Sequence, residues 1–297
     1  MKGQIIKIVR DLHVVNFNNK EYNCKCRGKI RNNKVVPLVG DYCIFDKDKL
    51  IIEEILPRKN EFQRPPVSNI DQAIIVVSIK KPDFSVNLLD KFIISMELHG
   101  IKSIICLTKE DISTKEELDA VYEKLKYYEK IGYQVISNQK LENILEVLPN
   151  KTTVLTGQTG AGKSTLLNKL NPNLDLETGE ISEALGRGKH TTRVVSLFEL
   201  NNGKILDTPG FSALDFYEFS KDEIKNSFVE FNNYDCPFRD CSHTKEEECR
   251  VKEKVRDKEI LEERYNDYIK FIEKRWFYVS FNFILKLRKS SKRFKNS

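Results

Sequence analysis

No stretch of the 297-residue chain is apolar for anything near the ~20 residues that a membrane-crossing helix needs. The opening MKGQIIKIVRDL lacks the long apolar centre and small-residue cleavage site of an export signal. A soluble, cytoplasmic protein that does not bind membranes is therefore expected. In that setting seven cysteines, an odd number, argue against a disulfide framework and leave reduced thiols or metal ligation. Acidic residues are missing from the final KLRKSSKRFKNS, where Lys286, Arg288, Lys289, Lys292, Arg293 and Lys295 either neutralise phosphates or keep a disordered terminus solvated. Internal repeats are missing too.

What is present divides into three parts, expected at residues 1–64, 65–215 and 216–297. The first holds short apolar runs, QIIKIV, HVVNF, YNCKCRGKI, VVPLVGDYCIF and LIIEEIL, separated by turn residues such as Gly28, Gly40 and Asp46. That pattern predicts a small antiparallel barrel of the oligonucleotide-binding (OB) type. Arg64-Pro65-Pro66 is expected to break any ladder and act as a linker. Beyond it, IDQAIIVVS, IKSIICLT, YQVIS, TTVLTG, VVSLFEL and GKILDT alternate with helical stretches around 87–99, 114–131 and 163–170. This is the grammar of a parallel sheet with helices on both faces. After about residue 216 a cysteine and histidine cluster is followed by one charged helical stretch from 252 to 283.

The strongest motif is GQTGAGKS: Gly157, Gln158, Thr159, Gly160, Ala161, Gly162, Lys163 and Ser164. It fits G-x-x-x-x-G-K-S between a strand and a helix, where backbone N–H groups cradle phosphates. Lys163 is expected to reach the β- and γ-phosphates and act in catalysis, Ser164 to offer its hydroxyl to Mg²⁺, and Thr165 to extend the same turn. Asp207-Thr208-Pro209-Gly210 ends the strand GKILD, with Asp207 in the Mg²⁺ shell and the Gly210 amide at the γ-phosphate. Between them Gly186-Arg187-Gly188-Lys189-His190-Thr191-Thr192-Arg193 sits where a switch loop belongs. Thr192 is favoured over Thr191 for closing on Mg²⁺, because VVSLF reads as the next strand.

A base-reader of the N/T-K-x-D type normally follows these motifs, and nothing after Gly210 fits. Upstream, Thr108-Lys109-Glu110-Asp111 follows the apolar strand IKSIICL. Asp111 could accept from guanine N1–H and the exocyclic amine, with the Lys109 stem over the ring. Ser137-Asn138, after YQVI, could donate to the guanine carbonyl, Ser137 foremost. The order is circularly permuted: base-reader, phosphate loop, switch, Mg²⁺ loop. Phe211 stands where many such enzymes place a water-orienting Gln, so unaided GTP hydrolysis is expected to be slow. His190 is the best local candidate to orient the water, with an exposed loop histidine as the alternative, and Arg187 or Arg193 could stabilise charge or touch RNA.

Cys236, Cys241, His243 and Cys249 form C-x4-C-x-H-x5-C, a closed set of four ligands for one structural Zn²⁺. Cys24, Cys26, Cys43 and Cys106 are read as structural. PLVGDYCIF, GQTGAGKSTLLN, GRGKHTTR, DTPGF and CPFRDCSHTKEEEC in this order resemble the ribosome small-subunit-dependent GTPase A family (RsgA, also called YjeQ) over nearly the whole chain. Thr108 departs from it, since the family usually has Asn there. The resemblance implies the 30S ribosomal subunit and its 16S rRNA as partners, with a role in late subunit maturation and GTP hydrolysis to GDP stimulated by the subunit; a monomer is expected. Two rival readings remain: a zinc-stapled RNA-binding module in which GTP is a slow timer or structural ligand, and an ATP-driven enzyme.

Overall fold

The computed structural model describes residues 1–28, 35–63, 65–172, 195–207, 216 and 218–273. The expected switch segment with His190, Thr191 and Thr192, the Gly210-Phe211 pair and the basic tail lie outside the described residues. The chain divides into two compact units, Met1–Phe84 with His99–Ala213, and Ser85–Leu98 with Leu214–Ser297.

In the first unit, strands β1 (Lys2–Val9), β2 (Leu12–Phe17), β3 (Lys20–Cys26), β4 (Tyr42–Asp46) and β5 (Ile51–Ile55) are joined in the order β1-β2-β3-β5-β4. Strand β4 pairs back onto β1, which closes the barrel and removes its free edges. Alternating side chains fill the interior: Ile5, Val15, Cys24, Cys43, Phe45 and Ile52 are buried together. Asn18 and Asn19 both take positive φ, the conformation a tight hairpin needs, to turn β2 into β3.

The PLVGDY segment is a structural junction. Buried Asp41 accepts from Leu38 N (2.8 Å), from Arg58 Nε (2.7 Å) and Nη2 (2.8 Å), and from Ser68 Oγ (2.6 Å). Arg58 and Ser68 bracket the expected linker, which corrects that expectation. β6 (Glu61–Gln63) and β7 (Pro66–Ser68) form an antiparallel pair, with Gln63 opposite Pro66. Proline is tolerated because it begins a short edge strand, where a missing N–H costs little.

The α/β portion contains β8 (Gln72–Ser78), β9 (Lys102–Thr108), β10 (Gln134–Ser137), β11 (Thr152–Gly157), β12 (Ser196–Leu200) and β13 (Gly203–Asp207). Their order is β10-β9-β8-β11-β13-β12, parallel except for β12. Six of the seven β8 residues are buried, as a central parallel strand demands. Lys7 of β1 lies opposite Ser196 of β12, so barrel and parallel sheet join as one 11-stranded sheet. The helices of this portion are α2 (Lys115–Lys130), α3 (Leu141–Glu146) and α4 (Lys163–Leu170). Thr114 and Glu117 close the start of α2 with a reciprocal capping box.

The second unit takes α1 (Val86–Leu98) together with α5 (Lys221–Ser227), a short 3-10 turn (Val229–Asn233), α6 (Arg250–Arg256) and a helix over 262–273. The single helical stretch expected from 252 onward is therefore two. The chain turns at 257–261, where Lys258 adopts φ +60° and Ile260 is buried, so anchoring an apolar side chain overrides helix propensity. At the centre Arg264, wholly buried, donates to Glu230 through Nε (2.5 Å) and Nη2 (3.0 Å) and to Asp90 of α1 through Nη1 (2.6 Å). Its guanidinium lies 4.9 Å from the Phe228 ring centroid.

Candidate nucleotide site and metal cluster

Loops after β9, β10 and β11 emerge at the carboxyl edge of neighbouring parallel strands, the place where open α/β sheets bind ligands. The loop after β11 is shaped by glycine. Gly157 has φ +137°, and a Cβ there would stand 2.1 Å from Val76 O. Gly160 (φ +80°) and Gly162 (φ +98°) continue the curl into the N-terminus of α4. Lys163 Nζ donates to the carbonyls of Gly157 (2.7 Å) and Gln158 (2.8 Å), so its ammonium is held across the loop's mouth. Gln158, Thr159, Gly160 and Thr165 are exposed, Ser164 is half-buried and Ala161 is buried. Asp207 ends β13, which pairs with β11.

The four residues of the upstream motif divide by position. Lys109, at φ +61°, and exposed Asp111 are turned away from the protein interior relative to their neighbours. Burial, reinforced by Lys81, lowers the Lys109 pKa, and Asp111 opposes that shift. Thr108 is almost completely buried, and its hydroxyl lies 2.7 Å from Ala161 O and 3.1 Å from Val77 O. It therefore ties the upstream segment directly to the phosphate loop. Glu110 faces sideways: Ser137 Oγ and Tyr122 OH (2.7 Å) both donate to it. The structure thus gathers Thr108, Lys109, Glu110, Asp111, Ser137 and the phosphate loop into one region. Tyr122 carried no signal in the sequence, because a tyrosine on a charged helix is unremarkable.

The metal candidates converge as well. Ligand atoms of Cys236, Cys241, His243 and Cys249 all lie within 4.8 Å of one another. Cys236 Sγ is 3.5 Å from His243 Nδ1 and 3.9 Å from Cys249 Sγ, while His243 Nδ1 is 3.4 Å from Cys249 Sγ. A tetrahedron with metal–sulfur bonds of ~2.3 Å has sulfur–sulfur edges of ~3.8 Å. The donor set fits a four-coordinate ion. Burial pushes the Cys241 thiol up to about 12 and raises Cys249 also, so a bound cation is what would hold them as thiolates. Supporting groups fix the backbone: Tyr265 OH donates to His243 O (2.7 Å), Tyr268 OH donates to Ser242 O, and Glu246 accepts from Ser242 N (2.8 Å) and Thr244 N (3.0 Å). Glu246 looked like one more acid in a solvated run, which hid this role. Among the other cysteines, burial raises Cys24 to about 11 and Cys43 and Cys106 to about 12, as inert core thiols require.

Fold and site define a circularly permuted P-loop GTPase with an N-terminal OB-like barrel and a C-terminal metal-binding unit. Residues 55–217 match the family model described as RsgA GTPase, and residues 2–50 match the RsgA N-terminal domain. The chain belongs to the RsgA GTPase family. It is 46% identical over 282 residues to the small ribosomal subunit biogenesis GTPase RsgA 2 of Oceanobacillus iheyensis, covering 92% of this chain and 96% of that one. Over 280 residues it is 45% identical to the Enterococcus faecalis protein described as small ribosomal subunit biogenesis GTPase RsgA, covering 92% and 94%. Among solved structures it resembles YloQ, described as a circularly permuted GTPase, with TM-score 0.78 and 36% identity over 92% of this chain and 94% of that one. YjeQ from Thermotoga maritima aligns with TM-score 0.80 and 31% identity over 93% and 98%.

Proposed function

We propose that this GTPase acts on the small ribosomal subunit in the cytoplasm, binding its 16S rRNA and assisting late maturation as a monomer. The observation that carries the nucleotide half is the Thr108 hydroxyl against Ala161 O, 2.7 Å away, which makes base-reader and phosphate loop one cleft. Within that cleft Asp111 and Lys109 read guanine, and the backbone from Gly157 to Gly162 cradles the phosphates. Lys163 exchanges its two carbonyl partners for phosphate oxygens, a stronger charge-assisted contact. Ser164, Thr192 and Asp207 would hold Mg²⁺, which neutralises charge between the β- and γ-phosphates when bound. His190 orients the attacking water, and the Gly210 amide meets the γ-phosphate. The ribosomal half rests on the relatives' names and on the barrel type, which commonly carries RNA contacts. The four C-terminal ligands hold Zn²⁺; with no open position, that ion is structural.

GTP and ATP turnover with and without purified 30S subunits tests this. GTP-selective turnover that rises with 30S supports it, and ATP preference rejects it. An unchanged negligible GTP rate favours the RNA-binding module with a slow timer, the reading that Phe211 keeps in play.

A further inference from the structure

The loop after β10 offers few donors for a base, and their disposition is informative. The Asn138 N–H donates to Leu107 O (2.9 Å), and the Gln139 N–H donates to Ser137 Oγ (3.0 Å). Ser137 has one hydroxyl proton, and Glu110 takes it. Glu110 is held in turn by Tyr122 OH, so a relay runs from Gln139 N through Ser137 Oγ to a carboxylate fixed on both oxygens. One polar group is left over. Asn138 Oδ1 is buried without a hydrogen-bond partner, on the first residue past β10 and beside the base-reading segment. An orphaned amide oxygen in that position costs free energy unless the amide has a further task.

We infer that Glu110 is a positioning residue that engages Ser137 and leaves the Asn138 side-chain amide as the guanine-specificity contact of the second base loop. Glu110 occupies the x of the T-K-x-D motif, the member that base recognition itself does not use. Its carboxylate locks the second loop onto the base-reader, and the Asn138 amide supplies the donor to the guanine 6-oxygen. Ser137 is thereby a brace and not a base contact. The inference rests on the nucleotide reading above.

The test measures dissociation constants of GDP and of 2-aminopurine riboside diphosphate, which lacks the 6-oxygen, on the full chain. Asn138→Ala should weaken GDP by about tenfold and leave the analogue unchanged, as expected for one lost hydrogen bond to a buried partner. Asn138→Asp, similar in size but without the donor, should lose at least as much GDP affinity, which guards against a folding defect in the alanine variant. Ser137→Ala and Glu110→Gln should each cost about threefold in the ratio and add nothing in an Asn138→Ala background, because they act through that residue. A ratio that falls as far in Ser137→Ala as in Asn138→Ala overturns the inference, and so does an additive double variant. Asp111→Asn separates the two levels: an unchanged guanine-over-xanthine preference in that variant means the base-reading segment itself has been misassigned.

Discussion

The phosphate loop and the metal cluster are both short runs of sequence, yet they are held by opposite means. The loop is a backbone device: three glycines at positive φ give it shape, and nearby groups such as Thr108 brace it. The cluster is a side-chain device, four ligands drawn together over 14 residues of chain and supported by Tyr265, Tyr268 and Glu246. A backbone device fails when a Cβ is added. A side-chain device fails when a partner is removed, and it leaves behind buried groups that nothing satisfies.

That contrast orders the expected effects. Removing the metal with a chelator should be the most severe, since structural zinc can contribute on the order of 10 kcal/mol to folding. Hydrogen exchange across 236–268 should rise sharply; protection that survives chelation would mean the packing around Phe231 and Tyr268 suffices alone. Arg264→Met should cost about 3–5 kcal/mol in thermal or denaturant unfolding, because Asp90 and Glu230 would remain buried without their cation. Adding Asp90→Asn and Glu230→Gln to that variant should recover most of the loss. In the backbone device, Gly157→Ala forces a Cβ to within 2.1 Å of Val76 O and should weaken GDP by at least about 100-fold, roughly 3 kcal/mol. Thr108→Val, which keeps the shape and deletes the hydroxyl, should cost only about 1 kcal/mol, read as a fivefold weaker GDP affinity with base selectivity retained. Equal effects of the last two would erase the distinction between shape and brace.

The sequence was most legible where chemistry demands fixed spacing. GQTGAGKS fell between β11 and α4 as expected, and the barrel strands followed their alternating runs because one face of each is buried. Legibility ended where partners are distant. Asp90 and Arg264 are 174 positions apart, and nothing local in either α1 or the last helix announces a buried ion pair. The hairpin over Pro66 escaped because proline normally ends a ladder, and only the junction around Asp41 shows why the chain folds back there. Within the base-reading segment, the motif named four residues together, whereas the structure assigns Thr108 and Glu110 to neighbouring loops and leaves Lys109 and Asp111 toward the cleft.

The central claim is that an upstream segment, Thr108 to Asp111, reads the base for a phosphate loop that follows it. Its direct measurement is the affinity ratio of GDP to xanthosine diphosphate in Asp111→Asn. An amide in place of the carboxylate swaps an acceptor for a donor, so preference should move from guanine to xanthine while Lys163 and the phosphate loop stay intact. Retained guanine preference, with both nucleotides bound as in the parent chain, would contradict it.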